Sequence, residues 1–449
     1  MFRIGTFIAS IFAIAYIFGL SSNIPNVHAS FALGAFSQDN HIDEFVQREK
    51  IQDIHYQIVA FTYDTFTPSD GEHLQKAIDT LGKDRIYHIS ISPYGLSAEQ
   101  VANGEYDVQY TRFFEIAKKS GAKFVFRTMH EMNGSWYSWS GDPENFKRAW
   151  KRIYELSRKA GLSKESILFV MSVNSQDLPS KDNRIHGELV FCTPEVKKLT
   201  PCLTMEDYYP GDTYVDLMGI TLYNWGRGRS ESWATWRTFE ELLVDGHTKM
   251  YERLVSYHKP IFIDEVGTTA VDFEGAWSNR KVMEGYQTGT HRKNTWIREM
   301  KESIKNHPEI VGVVYFNRDK TYELSDRSLA GELDWAIVSP MDKKVYTAYF
   351  DIFQDKNCTI QAIPFARTYT TKEIKLEANI LVKKVLPAGF YSVKTEKREA
   401  EKTRILKKVN FELQKLKKKE TTTKDVKMKQ FWKSVSTEFS LIMMEKVHP

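Results

Sequence analysis

Two glutamates stand where apolar runs give way to polar ones. Phe124-Val125-Phe126 suits a strand buried on both faces, and it passes into Arg127, His130, Glu131 and Asn133, then Gly134 and the aromatic residues Trp136, Tyr137 and Trp139. A second run, Pro260 to Ile263, passes into Asp264, Glu265 and the turn residues Gly267, Thr268 and Thr269. Two carboxyl groups in different electrostatic surroundings divide acid and base work. The one whose charge is disfavoured keeps a proton to give, and the other stays ionised.

The two glutamates lie 134 positions apart, three steps of about 45 residues, and an eight-unit β/α barrel uses roughly 30 to 45 residues per unit. Glu131 after a fourth strand and Glu265 on a seventh would both point into the barrel mouth. The rest of the pattern fits. Apolar runs at 32–36, 57–63, 86–92, 167–173, 215–222 and 310–316 supply the other six strands, and helical patterns at 42–54, 70–81, 239–258 and 296–304 fall between them. Asp142 and Pro143 open the clearest helix, with Phe146, Trp150, Ile153, Tyr154 and Ser157 on one face. The fold class predicted is therefore α/β, a (β/α)8 TIM barrel over residues 31–355, followed by a small basic C-terminal tail, 356–449. Strand ends present Tyr94, Asn174, and Tyr223 with Trp225. A long stretch from Gln176 to Pro210 would wall the cleft.

The motif His130-Glu131-Met132-Asn133-Gly134, with Arg127 before it and Trp136 and Trp139 after it, closely resembles the acid/base motif of glycoside hydrolase family 26. Ile263-Asp264-Glu265 resembles that family's nucleophile strand, and the resemblance covers roughly Ala32 to Phe353. It implies a barrel of the kind found in β-mannanases and some mixed-linkage glucanases and xylanases, acting with retention on a polysaccharide or oligosaccharide. It assigns Glu131 as acid/base and Glu265 as nucleophile, and places His130 and Tyr223 beside Glu265. Arg127 would orient either glutamate. Retention goes with carboxyls about 5 to 5.5 Å apart and inversion with about 6.5 to 9.5 Å. Trp136 is the first candidate for stacking on a sugar face and Trp225 the second, with Tyr137, Trp139, Trp233 and Trp277 behind them. Tyr94 would touch sugar or cover the core, and Asn174 would reach a hydroxyl or stabilise a turn. Two positions depart from the family pattern: Tyr315 and Met171 stand where tryptophans are usual, so the sugar-binding floor differs while the carboxylates do not.

Over the whole chain, 42% hydrophobic and 13% aromatic content rule out global disorder. The net charge of +4 is unevenly held. From Cys358 onward there are 21 Lys and Arg against 10 Asp and Glu, which leaves the preceding residues at −7 and argues against nucleic acid as a partner of the barrel. Residues 1–29 read as a signal peptide or N-terminal anchor: Arg3, an apolar run from Ile4 to Leu20, and Val27-His28-Ala29 as a cleavage site, implying a secreted or cell-envelope protein. Cys192 and Cys202 suit a local disulfide, leaving Cys358 over. No CxxC or HExxH pattern suggests a metal, and no cofactor is expected. In the tail, Thr371 to Val393 alternates like one or two strands, Thr395 to Lys419 reads as a charged helix, and the whole is expected to be poorly ordered, with packing on the barrel or binding to a membrane or an anionic wall polymer as the alternatives. A second expectation comes from another class: a polysaccharide-binding or exopolysaccharide-assembly protein on a barrel with little turnover.

Overall fold

In the computed structural model, the residues described are 30–37, 40–178, 184–185, 188–189, 191–199, 202–224, 236–244, 248–269, 273–274, 281–282, 289–318, 335–338, 345–365 and short stretches between 378 and 439. The N-terminal segment 1–29, Trp225, Trp233 and Trp277 lie outside them. Eight parallel strands close into a barrel: β1 (Ala32–Phe36), β2 (Ile58–Tyr63), β3 (Ile86–Ile91), β4 (Lys123–Thr128), β5 (Ile167–Asn174), β6 (Leu217–Asn224), β7 (Ile261–Thr268) and β8 (Ile310–Tyr315). Each strand lies beside its chain neighbours, and Ala32 of β1 meets Gly312 of β8 to shut the ring. With side chains inside the barrel and helices outside, both faces are dry, which is why β3 is buried at all six positions.

Local chemistry sets the helices. Thr67 caps α1 of this outer layer (Pro68–Leu81) in a reciprocal box with Asp70, Pro68 fills the first turn, and Leu74, Ala77, Ile78 and Leu81 make its buried face. The side chain of Asp142 accepts from the Asn145 N–H to start α2 (Pro143–Lys159), which buries Phe146, Ala149, Trp150 and Ile153. The span 239–258, expected as one helix, holds two, Phe239–Val244 and Met250–Val255, the second entered through left-handed Lys249. The helix expected from Trp296 starts earlier, at Gly289.

The barrel unit runs on to Ile363, past the expected boundary at residue 355. Phe31 N–H donates to Asn357 O (2.9 Å), Thr359 N–H to Phe31 O (2.8 Å), and Gln57 Nε2 to Cys358 O (2.7 Å), so these residues extend the foot of β1. Cys358 is buried and unpaired, and Cys192 and Cys202 form the expected disulfide. A second unit comprises Gly161–Leu168 and the chain from Pro364 on. From residue 378 on, its described residues are helical, including 411–419, and Ala378, Val382, Ile405, Val409, Leu416, Val435 and Phe439 share one buried cluster. Ala378 and Val382 are both helical, which corrects the strand reading at these positions.

Candidate active site

β4 carries Arg127 into the barrel, where its Nε donates to Ser172 Oγ of β5 (2.9 Å) and its Nη1 approaches Ser90 Oγ of β3 (3.5 Å) and pairs with Glu265. Beyond Thr128 the chain turns sharply, because Met129 (φ 45°) and Glu131 (φ 51°) both take left-handed backbone. Side chains other than glycine resist that region, and surrounding bonds hold it here. The Glu131 N–H donates to Ser172 O (2.8 Å) and the Gly134 N–H to Glu131 O (2.9 Å). The turn aims the Glu131 carboxyl across β5 toward β6.

Three donors meet that carboxyl. Thr221 Oγ1–H of β6 and Asn174 Nδ2 of β5 (3.1 Å) give to Oε1, and Trp136 Nε1 (3.0 Å) gives to Oε2. Burial and the charge of Glu265 nonetheless raise its pKa, against the lowering pull of Thr221, Arg127 and Asn174. Asn133 fastens the loop beneath: its Nδ2 donates to Asn174 O (3.0 Å) and Asp177 Oδ1 (2.9 Å), and its Oδ1 accepts the Asn174 N–H (2.9 Å).

Glu265 sits in opposite surroundings. The Arg127 guanidinium and the Tyr223 hydroxyl each donate to one of its oxygens. Burial would lower the Arg127 pKa, but Glu265, Asp264 and Glu131 together hold it above its ordinary value. Burial and Glu265 push the Tyr223 phenol well up, so it stays a donor. Its ring stacks on Trp335 at 4.5 Å, and Phe316 meets it edge-on at 5.6 Å.

Several expectations change in place. His130 does not face Glu265: its Nε2 meets the Tyr137 hydroxyl (2.9 Å), and burial, then Arg127 and His88, drive its pKa well down, so it is a neutral ring. Tyr315 is corrected too. It is fully buried with its ring against Tyr349 of the helix Thr347–Asp351, in the outer layer, because alternation along β8 turns it away from the cleft. Met171 is likewise fully buried. Asn174 does two jobs, giving its amide to Glu131 and accepting the Gln176 N–H (3.0 Å). Trp136 is 43% exposed, with only its N–H committed to Glu131. Tyr94, 44% exposed, leans on Tyr137 and on Trp139, which stack on each other at 4.4 Å. Thr221 and Trp335 were not foreseen. Thr221 lies two residues from Tyr223 on β6 and so shares its face, a signal present in the sequence. Nothing local marks Trp335.

A closed parallel barrel whose fourth and seventh strands bring two carboxyls of contrasting surroundings to one cleft has the plan of a glycoside hydrolase. Residues 111–313 match the model of glycosyl hydrolase family 26. Endoglucanase H of Acetivibrio thermocellus is 24% identical over 263 residues, covering 57% of this chain and 23% of that relative, so the chain spans about a quarter of the relative's length. Among solved structures, an endo-beta-1,4-mannanase of Cellulomonas fimi is 15% identical with a TM-score of 0.47, covering 76% of this chain and 74% of that one. GH26A of Muricauda sp. MAR_2010_75 is 15% identical with a TM-score of 0.43, covering 75% and 93%.

Proposed function

We propose that the barrel is a retaining endo-β-glycanase acting on β-1,4-mannan or a related β-glycan, with Glu131 as acid/base and Glu265 as nucleophile. The observation that carries this reading is the contrast between the carboxyls: one raised by burial and by its neighbour's charge, the other held by a guanidinium and a phenol. Protonated Glu131 gives its proton to the leaving glycosidic oxygen while a Glu265 oxygen bonds to the anomeric carbon and the glycosidic C–O bond breaks. The resulting ester is neutral, so the charge that opposed ionisation of Glu131 is gone and its pKa falls. Glu131 then takes a proton from water as that water attacks the anomeric carbon and frees Glu265.

The half-exposed Trp136 ring beside Glu131 is offered as a sugar platform, and Tyr94 as a weaker contact farther out. The name of the relative, endoglucanase H, makes a β-glucan such as lichenan the substrate to set beside mannan. Reducing-sugar release from mannan, lichenan and xylan tests the activity. The Glu131→Gln and Glu265→Gln variants are expected to lose about 10²- to 10⁴-fold. Either variant working at the wild-type rate rejects the roles, and an inverted first product, read by NMR, rejects retention. Tight glycan binding without product would favour the binding protein instead. Export through residues 1–29 belongs to the same proposal. Mature protein recovered from the medium should begin at Ser30, and full-length protein retained in the membrane fraction would show an anchor.

A further inference from the structure

Asp264 has no part in the reaction proposed above, yet it is fully buried in the barrel next to the nucleophile. Its Oδ1 lies 2.8 Å from His88 Nε2, and both side chains are shut off from solvent. His88 belongs to β3 and Asp264 to β7, four places apart in an eight-stranded ring, so this bond spans the barrel's full width. The His88 ring also stacks on Phe262, two residues before Asp264, at 5.4 Å and 9°.

Phe262 and Asp264 share the inward face of β7, as alternation requires, and the same rule would turn Glu265 outward. It does not turn outward, because β7 carries one extra residue against both neighbours. Toward β6, Ile220 pairs with Ile263 and the next residue, Thr221, already pairs with Glu265. Toward β8, Val313 pairs with Ile263 and Tyr315 with Val266. Such a bulge re-aims the side chain that follows it. Room for the bulged residue comes from Gly219 of β6, where a Cβ would fall 1.9 Å from Asp264 Oδ2.

We propose that His88 and Asp264 form a cross-barrel tie that fixes this bulge, making them positioning residues that keep the Glu265 carboxylate on Arg127 and Tyr223. The inference rests on the proposed role of Glu265. Without the tie the bulge relaxes toward regular alternation and Glu265 leaves its donors, and a misplacement of about 1 Å costs about 100-fold in rate. Sugar binding elsewhere in the cleft is untouched.

The test uses the full chain carrying His88→Phe, which keeps the ring volume and the stack on Phe262 but lacks the donor, and Asp264→Asn, which keeps an acceptor. His88→Phe is expected to lower kcat about 100-fold with KM within about 2-fold, and Asp264→Asn to stay within about 5-fold of wild type in kcat. A His88→Phe enzyme at wild-type kcat overturns the tie, and so does Asp264→Asn falling as far as His88→Phe. Crystal structures of both variants keep the outcomes apart. If the wild type hydrolyses no glycan, the proposed function fails, and the tie is then judged by whether the Glu265 carboxylate of His88→Phe has left Arg127 and Tyr223. An unmoved carboxylate overturns the tie, and a displaced one upholds it.

Discussion

Glu131 is a carboxyl pulled two ways. Thr221, Asn174 and Trp136 donate to it and favour its charge, while burial and Glu265 oppose that charge and prevail. Replacing Thr221 with Val removes one lowering influence, so the Glu131 pKa rises further and the basic limb of the kcat/KM profile moves to higher pH. A pH–rate profile that moves the other way would refute the acid role. The same raised pKa has a sign for stability. The contribution is present below the ordinary carboxylate pKa and lost as pH rises through the folded value. Glu131→Gln escapes that loss, and its thermal unfolding at neutral pH should come at a higher temperature than the wild type's, with the gap closing in acid. Arg127, Glu131 and Glu265 were all legible in the sequence, which left open the glutamate that Arg127 would orient; the fold pairs it with Glu265, 138 residues away.

Loops and caps answer to more local physics. A Cβ on Gly134 would fall 2.4 Å from the Trp136 indole, so Gly134→Ala should push that ring off Glu131. Steady-state rates should drop with a change in tryptophan fluorescence, and an unchanged emission spectrum would count against the contact. Asp142→Ala, by contrast, removes only the cap of Pro143–Lys159 and should cost about 1 kcal/mol in denaturant unfolding with activity retained. Caps, prolines and apolar periods are near-neighbour signals, which is why this helix was readable. Which way a strand residue faces depends on partners distant in the chain. Tyr315 and Phe316 are adjacent, yet one packs on Tyr349 and the other on Tyr223.

Across the molecule, the loop after β5 is held at both ends. Asp177 accepts from Asn133, from the Met205 N–H (3.0 Å) and from Arg253 (2.7 Å), and the Cys192 N–H donates to Asp177 O (3.1 Å). The Cys192–Cys202 disulfide closes a ten-residue step in that loop, and replacing both with Ser should cost about 2.5 to 3 kcal/mol. Chemical denaturation under oxidising and reducing conditions measures it, and a wild type indifferent to reductant would show that the bond does not brace the fold. The tail keeps its excess of positive charge, and its described residues bury a small apolar cluster of their own.

By itself the chain determined the barrel plan, the two acidic strand ends, the caps of its helices and the cysteine pair, because each depends on residue type and short spacing. The folded ring decided what each side chain faces. Closure and one inserted residue on β7 set the parity that brings Glu265 inward and seats Asp264 on His88, and no local pattern carries that information.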